Sequence, residues 1–316
     1  MHKTLLVWVL LLQLLLQSTS LLAADTSARQ WLDRMSHSFR ELNYQGSFTY
    51  EQGDAIEALK IAHAVFEGKE FERLEHMDGK PRKIIRRDHS LECLHSGHRL
   101  VRMFGVADDL QSEAAAVKLE QFYDLSLQGE SRIAGRQAIE LAIVPRDTHR
   151  YGHRLSLDKE TGLVLRAVLY GPQNTVLERF QFVDIDVDAQ LTIADFAGGA
   201  AHKAQHREMP MVEGVAKPDS WAADWLPGGF SRIGLSADAG DMRSFTDGLV
   251  VFSIFIEDLN TTPGAEDSAG GLARRGATVA YSRSILLNGA PHRVTIVGEI
   301  PQQTAERVAS SVIAIN

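Results

Sequence analysis

Cys93, His95 and His98 fall within the six residues CLHSGH and are, by type and spacing, the side chains of this chain best suited to a metal ion. A thiolate and two imidazoles match part of a zinc donor set, but a closed tetrahedral site needs a fourth ligand and a supporting shell, and the sequence fixes neither. On a strand Cys93 and His95 would share a face, whereas the turn at Gly97 leaves the side of His98 open. Ordinary strand and turn residues are the stronger reading, and no metal or other cofactor is expected. His202 and His206 would share a face only in a helix, which their Gly- and Pro-containing surroundings disfavour. Cys93 is the one cysteine in 316 residues. It cannot close an internal disulfide, so it reads as a small buried apolar residue, with an intermolecular disulfide as the alternative.

The motifs of the commonest hydrolases are missing. Gly271 to Thr278 (GLARRGAT) lacks the lysine of a phosphate-cradling loop, and Gly234-Leu235-Ser236-Ala237-Asp238 lacks the second glycine of a nucleophile elbow. HExxH and CxxC pairs do not occur. No catalytic residue is assigned, and the expectation is a protein that is not an enzyme. Two constellations suit binding instead. Lys80, Arg82, Lys83, Arg86 and Arg87 surround the apolar pair Ile84–Ile85 on a predicted strand. They suit either an anion-binding rim on an apolar groove, fit for the head group of an acylated ligand, or a solvated strand edge guarded by positive charge; the residues alone favour the edge. Trp221, Trp225, Phe230, Phe252 and Phe255 read mainly as core, although Trp and Phe also anchor interfaces. The net charge of −8 gives no support for a nucleic-acid binder.

These residues must be positioned by the rest of the chain, whose length suits two domains and whose 44% apolar and 23% charged content suits packed cores. Lys3, the apolar run Leu5 to Leu16 broken only by Gln13, and the small residues leading to Ala23 and Ala24 form a predicted secretory signal peptide over residues 1–24. That run is shorter than the roughly 18 to 20 residues that cross a bilayer. Leu32, Met35, Phe39 and Leu42 predict an amphipathic helix over 27–42. From Ser47 to Val187 the period changes to two. YGHRLSLDKETGLVLRAVLYGPQNTVLERFQF predicts three antiparallel strands with turns at DKETG and GPQN, and Ser112 to Tyr123 predicts a helix. Such one-sided strands form a sheet that must curl or be covered by helices. Residues 199–219 read as a linker between a large domain at 25–198 and a small domain at 220–316. The small domain is predicted to hold strands at Gly248 to Glu257, Ala277 to Leu287 and Arg293 to Glu299. A polar loop at Thr261 to Gly276 and a closing amphipathic helix marked by Thr304, Val308 and Val312 complete it. The fold class is α+β, rich in β.

In order along the chain stand NYQGSF, LEHMDGKPRKIIRR, FYDLSLQGESRIAGR, YGHRLSLDKETGLVLRAVLYG, LERFQF, WLPGGF, FTDGLVVFSIFIE and TIVGEIPQQTAERVASSV. This collinear set, spanning essentially the whole mature chain, resembles the RseB/MucB family of periplasmic negative regulators of the sigma-E (AlgU-type) envelope-stress response. It departs from the family at Val106 to Leu119 and Asn260 to Gly276. The resemblance implies a large domain like the LolA/LolB lipoprotein carriers, an unclosed β-barrel with helices on its concave side, and a small antiparallel-sheet domain with a terminal helix. It implies a periplasmic protein that binds the periplasmic region of a membrane anti-sigma factor of the RseA/MucA type and shields it from regulated proteolysis. Lipopolysaccharide or another acylated envelope component would release it, in alginate producers freeing exopolysaccharide genes; self-association is a further partner option. A periplasmic lipid or lipoprotein carrier is the alternative. On this resemblance the expected partner contacts are Trp225, Phe230 and the Arg274/Arg275 loop, and the expected ligand rim is Arg82, Lys83, Arg86 and Arg87.

Overall fold

The computed structural model describes residues 28–87, 119–197, 220–233, 242–260 and 270–315. The predicted signal peptide and linker, Cys93, His95, His98, His202, His206 and most of the helix predicted over 112–123 lie outside the described residues. Residues 119–122 form a helical turn that leads directly into a strand.

A first helix, α1, covers residues 28–41. It is followed by β1 (Tyr44–Gln52), β2 (Ala55–Phe66), β3 (Lys69–His76), β4 (Arg82–Arg87), β5 (Tyr123–Ile133), β6 (Arg136–Pro145), β7 (Gly152–Asp158), β8 (Val164–Tyr170) and β9 (Val176–Val187). All pairings are antiparallel, in the order β4-β3-β2-β1-β9-β8-β7-β6-β5. The two edge strands, β4 and β5, do not pair with each other, so the sheet stays unclosed. It nevertheless curls, because residues from both ends of the order share one core: Leu59, Leu74 and Ile84 with Tyr123, Leu125 and Leu141. The physical cause is the period-two alternation. Tyr44, Phe48 and Tyr50 on β1 and Phe180 and Phe182 on β9 turn their rings to one face, and α1 covers that face with Ala28, Trp31, Leu32, Met35 and Phe39. The three strands predicted between Tyr151 and Phe182 are β7, β8 and β9, with DKETG and GPQN at their turns.

The small domain has β10 (Trp221–Ala223), β11 (Ser231–Ile233), β12 (Met242–Thr246), β13 (Val251–Asp258), β14 (Leu272–Arg275), β15 (Thr278–Leu287), β16 (Ala290–Gly298), α2 (Gln302–Ser310) and β17 (Val312–Ala314). Six strands form a sheet in the order β11-β12-β13-β16-β15-β14, and β10 pairs with β17. Phe252, Ile254, Val279, Val294 and Ile296 face α2, which buries Ala305, Val308 and Ala309 against them. Two expectations are corrected. Arg274 and Arg275 are not in a loop: they end strand β14, which pairs with β15 from Leu272↔Tyr281 to Arg275↔Thr278. The tight turn is allowed by Gly276, whose φ of 57° is the left-handed region that glycine enters without steric cost. The closing helix also stops one turn early. Ser311 donates its hydroxyl to the Val308 and Trp225 carbonyls, at 2.8 and 3.0 Å, a local bond that competes with helix continuation, and Val312 begins a strand.

Candidate functional site: the seam between the two sheets

Both β-units turn one end toward a common seam. The β6–β7 connection supplies Asp147, His149, Arg150 and Tyr151 from the large domain, and the end of the 119–122 helical turn and the first residue of β5 supply Phe122 and Tyr123. The small domain answers with the Pro227-Gly228-Gly229-Phe230 turn, the Asp247 turn and the tip of the β14–β15 hairpin.

Arg150 is the centre. Its side chain is fully buried. Nε and Nη2 bind Asp147 at 3.1 and 2.9 Å, Nη1 binds Asp247 Oδ2 at 2.7 Å, and Nη2 also donates to the Gly228 carbonyl at 2.6 Å. The guanidinium lies 4.9 to 5.3 Å from the ring centroids of Phe122, Tyr123 and Phe230, where an aromatic face attracts a cation. Asp247 Oδ2 accepts a second bond, from the Tyr123 hydroxyl at 2.8 Å, while Oδ1 accepts from the Leu249 and Val250 amides at 3.0 and 2.9 Å. Burial, reinforced by the Asp247 charge, holds the Tyr123 hydroxyl well above its ordinary pKa, so it stays a donor. Burial alone would lower the Arg150 pKa, but the Asp247 and Asp147 carboxylates beside it outweigh that and raise the value. Gly229, with φ of 85°, lets the turn lie against Phe122; a Cβ there would collide with the Phe122 ring.

A second contact lies at the hairpin tip. The buried Glu178 of β9 accepts from Tyr50 Oη at 2.5 Å and Gln52 Nε2 at 3.1 Å in its own domain, and from the Ala277 amide at 3.0 Å across the seam. A Cβ on Gly276 would stand 2.6 Å from Gln52 Cγ. Ala277 packs with Tyr151, Leu169 and Leu177, and Tyr151 donates to the Ile300 carbonyl at 3.2 Å.

All four predicted partner residues are small-domain residues at or beside this seam. Trp225 is half-buried, with Arg307 stacked 3.9 Å above its ring and the His149 ring edge-on at 5.1 Å. Phe230 is 8% exposed and tilted onto Phe252 at 5.1 Å, within the small-domain core. Arg274 donates to the Gly276 carbonyl at 3.0 Å, and Arg275, exposed, stands 3.9 Å from Glu57 of the large domain. The basic strand β4 is elsewhere, at a sheet edge. Its alternation splits the predicted rim: Arg82 and Ile84 share one face and Lys83 and Ile85 the other. Ile84 packs on the main core, Ile85 joins Phe66, Phe71 and Phe196 on the opposite face, and Lys83 pairs with Glu75 at 3.4 Å. Arg86 and Arg87 pair through the backbone with Glu72 and Phe71. Sequence reasoning missed Arg150, Asp247 and Glu178. Among the described residues no group of three or more His, Cys, Asp or Glu side chains is placed to hold a metal.

The chain is a two-module protein, one curled unclosed sheet joined to a small α+β unit at this seam. The profile of the MucB/RseB N-terminal domain matches residues 27–209, and that of the MucB/RseB C-terminal domain matches residues 215–313. The chain belongs to the MucB/RseB family. It is 34% identical to the sigma factor AlgU regulatory protein MucB of Pseudomonas aeruginosa, over 96% of each chain. It is 27% identical to the sigma-E factor regulatory protein RseB of Escherichia coli K12, over 92% of each. Its backbone overlays the crystal structure of MucB in complex with MucA(peri) with a TM-score of 0.71, covering 92% of this chain and 99% of that one at 34% identity. The overlay on a second solved structure, the crystal structure of MucB, gives 0.62, covering 92% of this chain and 98% of that one.

Proposed function

We propose that this protein is a periplasmic regulator that binds the periplasmic region of a membrane anti-sigma factor of the RseA/MucA type. By occupying that region it hinders the proteases that begin the anti-sigma factor's degradation, and so restrains a sigma-E (AlgU-type) stress response. It acts by binding and not by catalysis. Lipopolysaccharide or another acylated envelope component releases it, which requires that the ligand prefer the unbound conformation. The observation that carries this reading is the full-length, collinear match in both domains to a regulator whose structure is known in complex with MucA(peri).

The test mixes the mature protein with the periplasmic segment of the anti-sigma factor from the same bacterium. Micromolar or tighter binding is expected, as is slower cleavage of the segment by its site-1 protease, with lipopolysaccharide restoring cleavage. Absence of binding at modest salt, or cleavage indifferent to the protein, refutes the reading.

A further inference from the structure

The β15–β16 hairpin of the small domain ends in a chemically reactive dipeptide. The two strands pair without interruption from Val279↔Gly298 to Leu287↔Ala290, which leaves Asn288 and Gly289 as a two-residue loop. Both have positive φ, 50° and 79°, as a type I′ turn requires, and both are exposed. Asparagine is a thermolabile residue, because its side-chain amide carbon can close a five-membered ring with the next backbone nitrogen. The Gly289 nitrogen attacks the Asn288 Cγ. The new N–Cγ bond forms, the Cγ–Nδ2 bond breaks, and the Gly289 amide proton leaves with the side-chain nitrogen as ammonia. Water then opens this succinimide at either carbonyl, giving Asp, or isoAsp with the main chain running through Cβ. Water is the one co-reactant. Asparagine stands at 43, 174, 260, 288 and 316, and only Asn288 precedes a glycine, whose missing Cβ leaves the attacking nitrogen unhindered. A Cβ on Gly289 would meet no atom within 4 Å beyond its chain neighbours, so packing does not shield the loop from water.

The turn withholds the reaction. Ring closure needs the Gly289 nitrogen eclipsed with the Asn288 Cβ about the Cα–C bond. A type I′ turn sets ψ of its first central residue at about +30°, which places that nitrogen nearly opposite Cβ. Pairing on either side of the loop resists the rotation, and Leu287, 6% exposed, is held in the small-domain core. Separated strands rotate freely. The Asp product still suits the turn, since Asp-Gly also favours type I′. IsoAsp does not: it adds a backbone methylene to a two-residue loop, and the Leu287↔Ala290 register is lost.

We propose that Asn288-Gly289 is a self-modification site that the folded hairpin keeps unreacted and that unfolding of the small domain sets free, leaving an irreversible covalent mark. Molecules that acquire isoAsp no longer rebuild the β15–β16 pairing, so an unfolding episode removes them from the functional pool after its cause has passed.

The experiment uses the full mature chain in mildly alkaline buffer at one temperature, folded in one arm and in urea beyond its unfolding midpoint in the other. Peptide mapping by mass spectrometry reads amide-to-acid conversion at each asparagine, and electron-transfer fragmentation separates isoAsp from Asp. Asn288 should convert at least tenfold faster unfolded than folded. In the unfolded arm it should also convert at least tenfold faster than Asn174, whose successor Thr175 is β-branched. After urea is removed, hydrogen exchange over β15–β16 should be native in unmodified and Asp-containing molecules and unprotected in isoAsp-containing ones from the same sample. Asn288→Gln, which would need a six-membered ring, should recover fully from the same incubation. Folded and unfolded rates within twofold of each other overturn the protection. Conversion of unfolded Asn288 no faster than that of Asn174 overturns the site, and isoAsp molecules with native exchange protection overturn the irreversible mark. These three readings come from the wild-type chain, so a variant that fails to fold changes none of them.

Discussion

His153 offers a direct test of how tightly the large sheet is packed. It lies on β7 between Ile143 of β6 and Leu169 of β8 and is 1% exposed. Among the described residues neither ring nitrogen has a hydrogen-bond partner. Burial lowers its pKa from 6.5 to about 4, because a charged imidazolium there would lose its hydration with no compensating carboxylate. The unfolded chain therefore binds the proton more readily than the folded one between those two values. Stability is unaffected above pH 6.5, falls as the pH drops through that window, and levels off below the folded pKa. At about pH 5 the proton-binding ratio of the two states is about 30, a loss of about 2 kcal/mol, whereas at about pH 7.5 the loss is under ~0.1 kcal/mol. His153→Leu removes the titrating group at similar volume. Urea unfolding of both proteins at the two pH values should show the wild type losing about 2 kcal/mol more than the variant on acidification. The His153 ring signal should titrate near 4 in the folded protein. Equal acid losses in the two proteins, or a ring that titrates near its ordinary value, would refute the argument that this imidazole is dry and neutral.

Leu155→Ala, at a position 1% exposed in the large-domain core, should cost about 2–5 kcal/mol in urea unfolding; a loss below about 1 kcal/mol would mean the site collapses or is looser than described. Gly229→Val forces a Cβ into the Phe122 ring at a positive φ. It should enlarge the scattering envelope and weaken anti-sigma binding while sparing the small-domain core, and an unchanged envelope would count against the seam geometry. Trp225→Ala removes the indole held between Arg307 and His149 and should weaken the anti-sigma complex by at least tenfold, as expected of a half-buried aromatic anchor; titration calorimetry within twofold of wild type removes Trp225 from the contact. Arg82→Glu reverses charge on the exposed edge strand. It should raise several-fold the lipopolysaccharide concentration needed for release if β4 forms the ligand rim, and leave it unchanged if β4 is only a guarded edge.

The parts of the fold that were legible in the sequence are those with a strong local signal. β7, β8 and β9 stood out because each alternates and because DKETG and GPQN punctuate them. α1 stood out because Leu32, Met35 and Phe39 repeat at helical spacing. β14 was not legible: its four residues, LARR, are all exposed and follow a glycine-rich stretch, so no alternation marks them, and only pairing with β15 makes them a strand. β10 and β17 are three residues each, and their pairing joins the two ends of the small domain. The seam was invisible for a different reason. Arg150 and Asp247 are 97 residues apart, and Glu178 and Ala277 are 99 apart; each looked like an ordinary polar residue beside a turn. His153 did carry a readable sign, since it shares the apolar phase of its strand with Leu155 and Leu157.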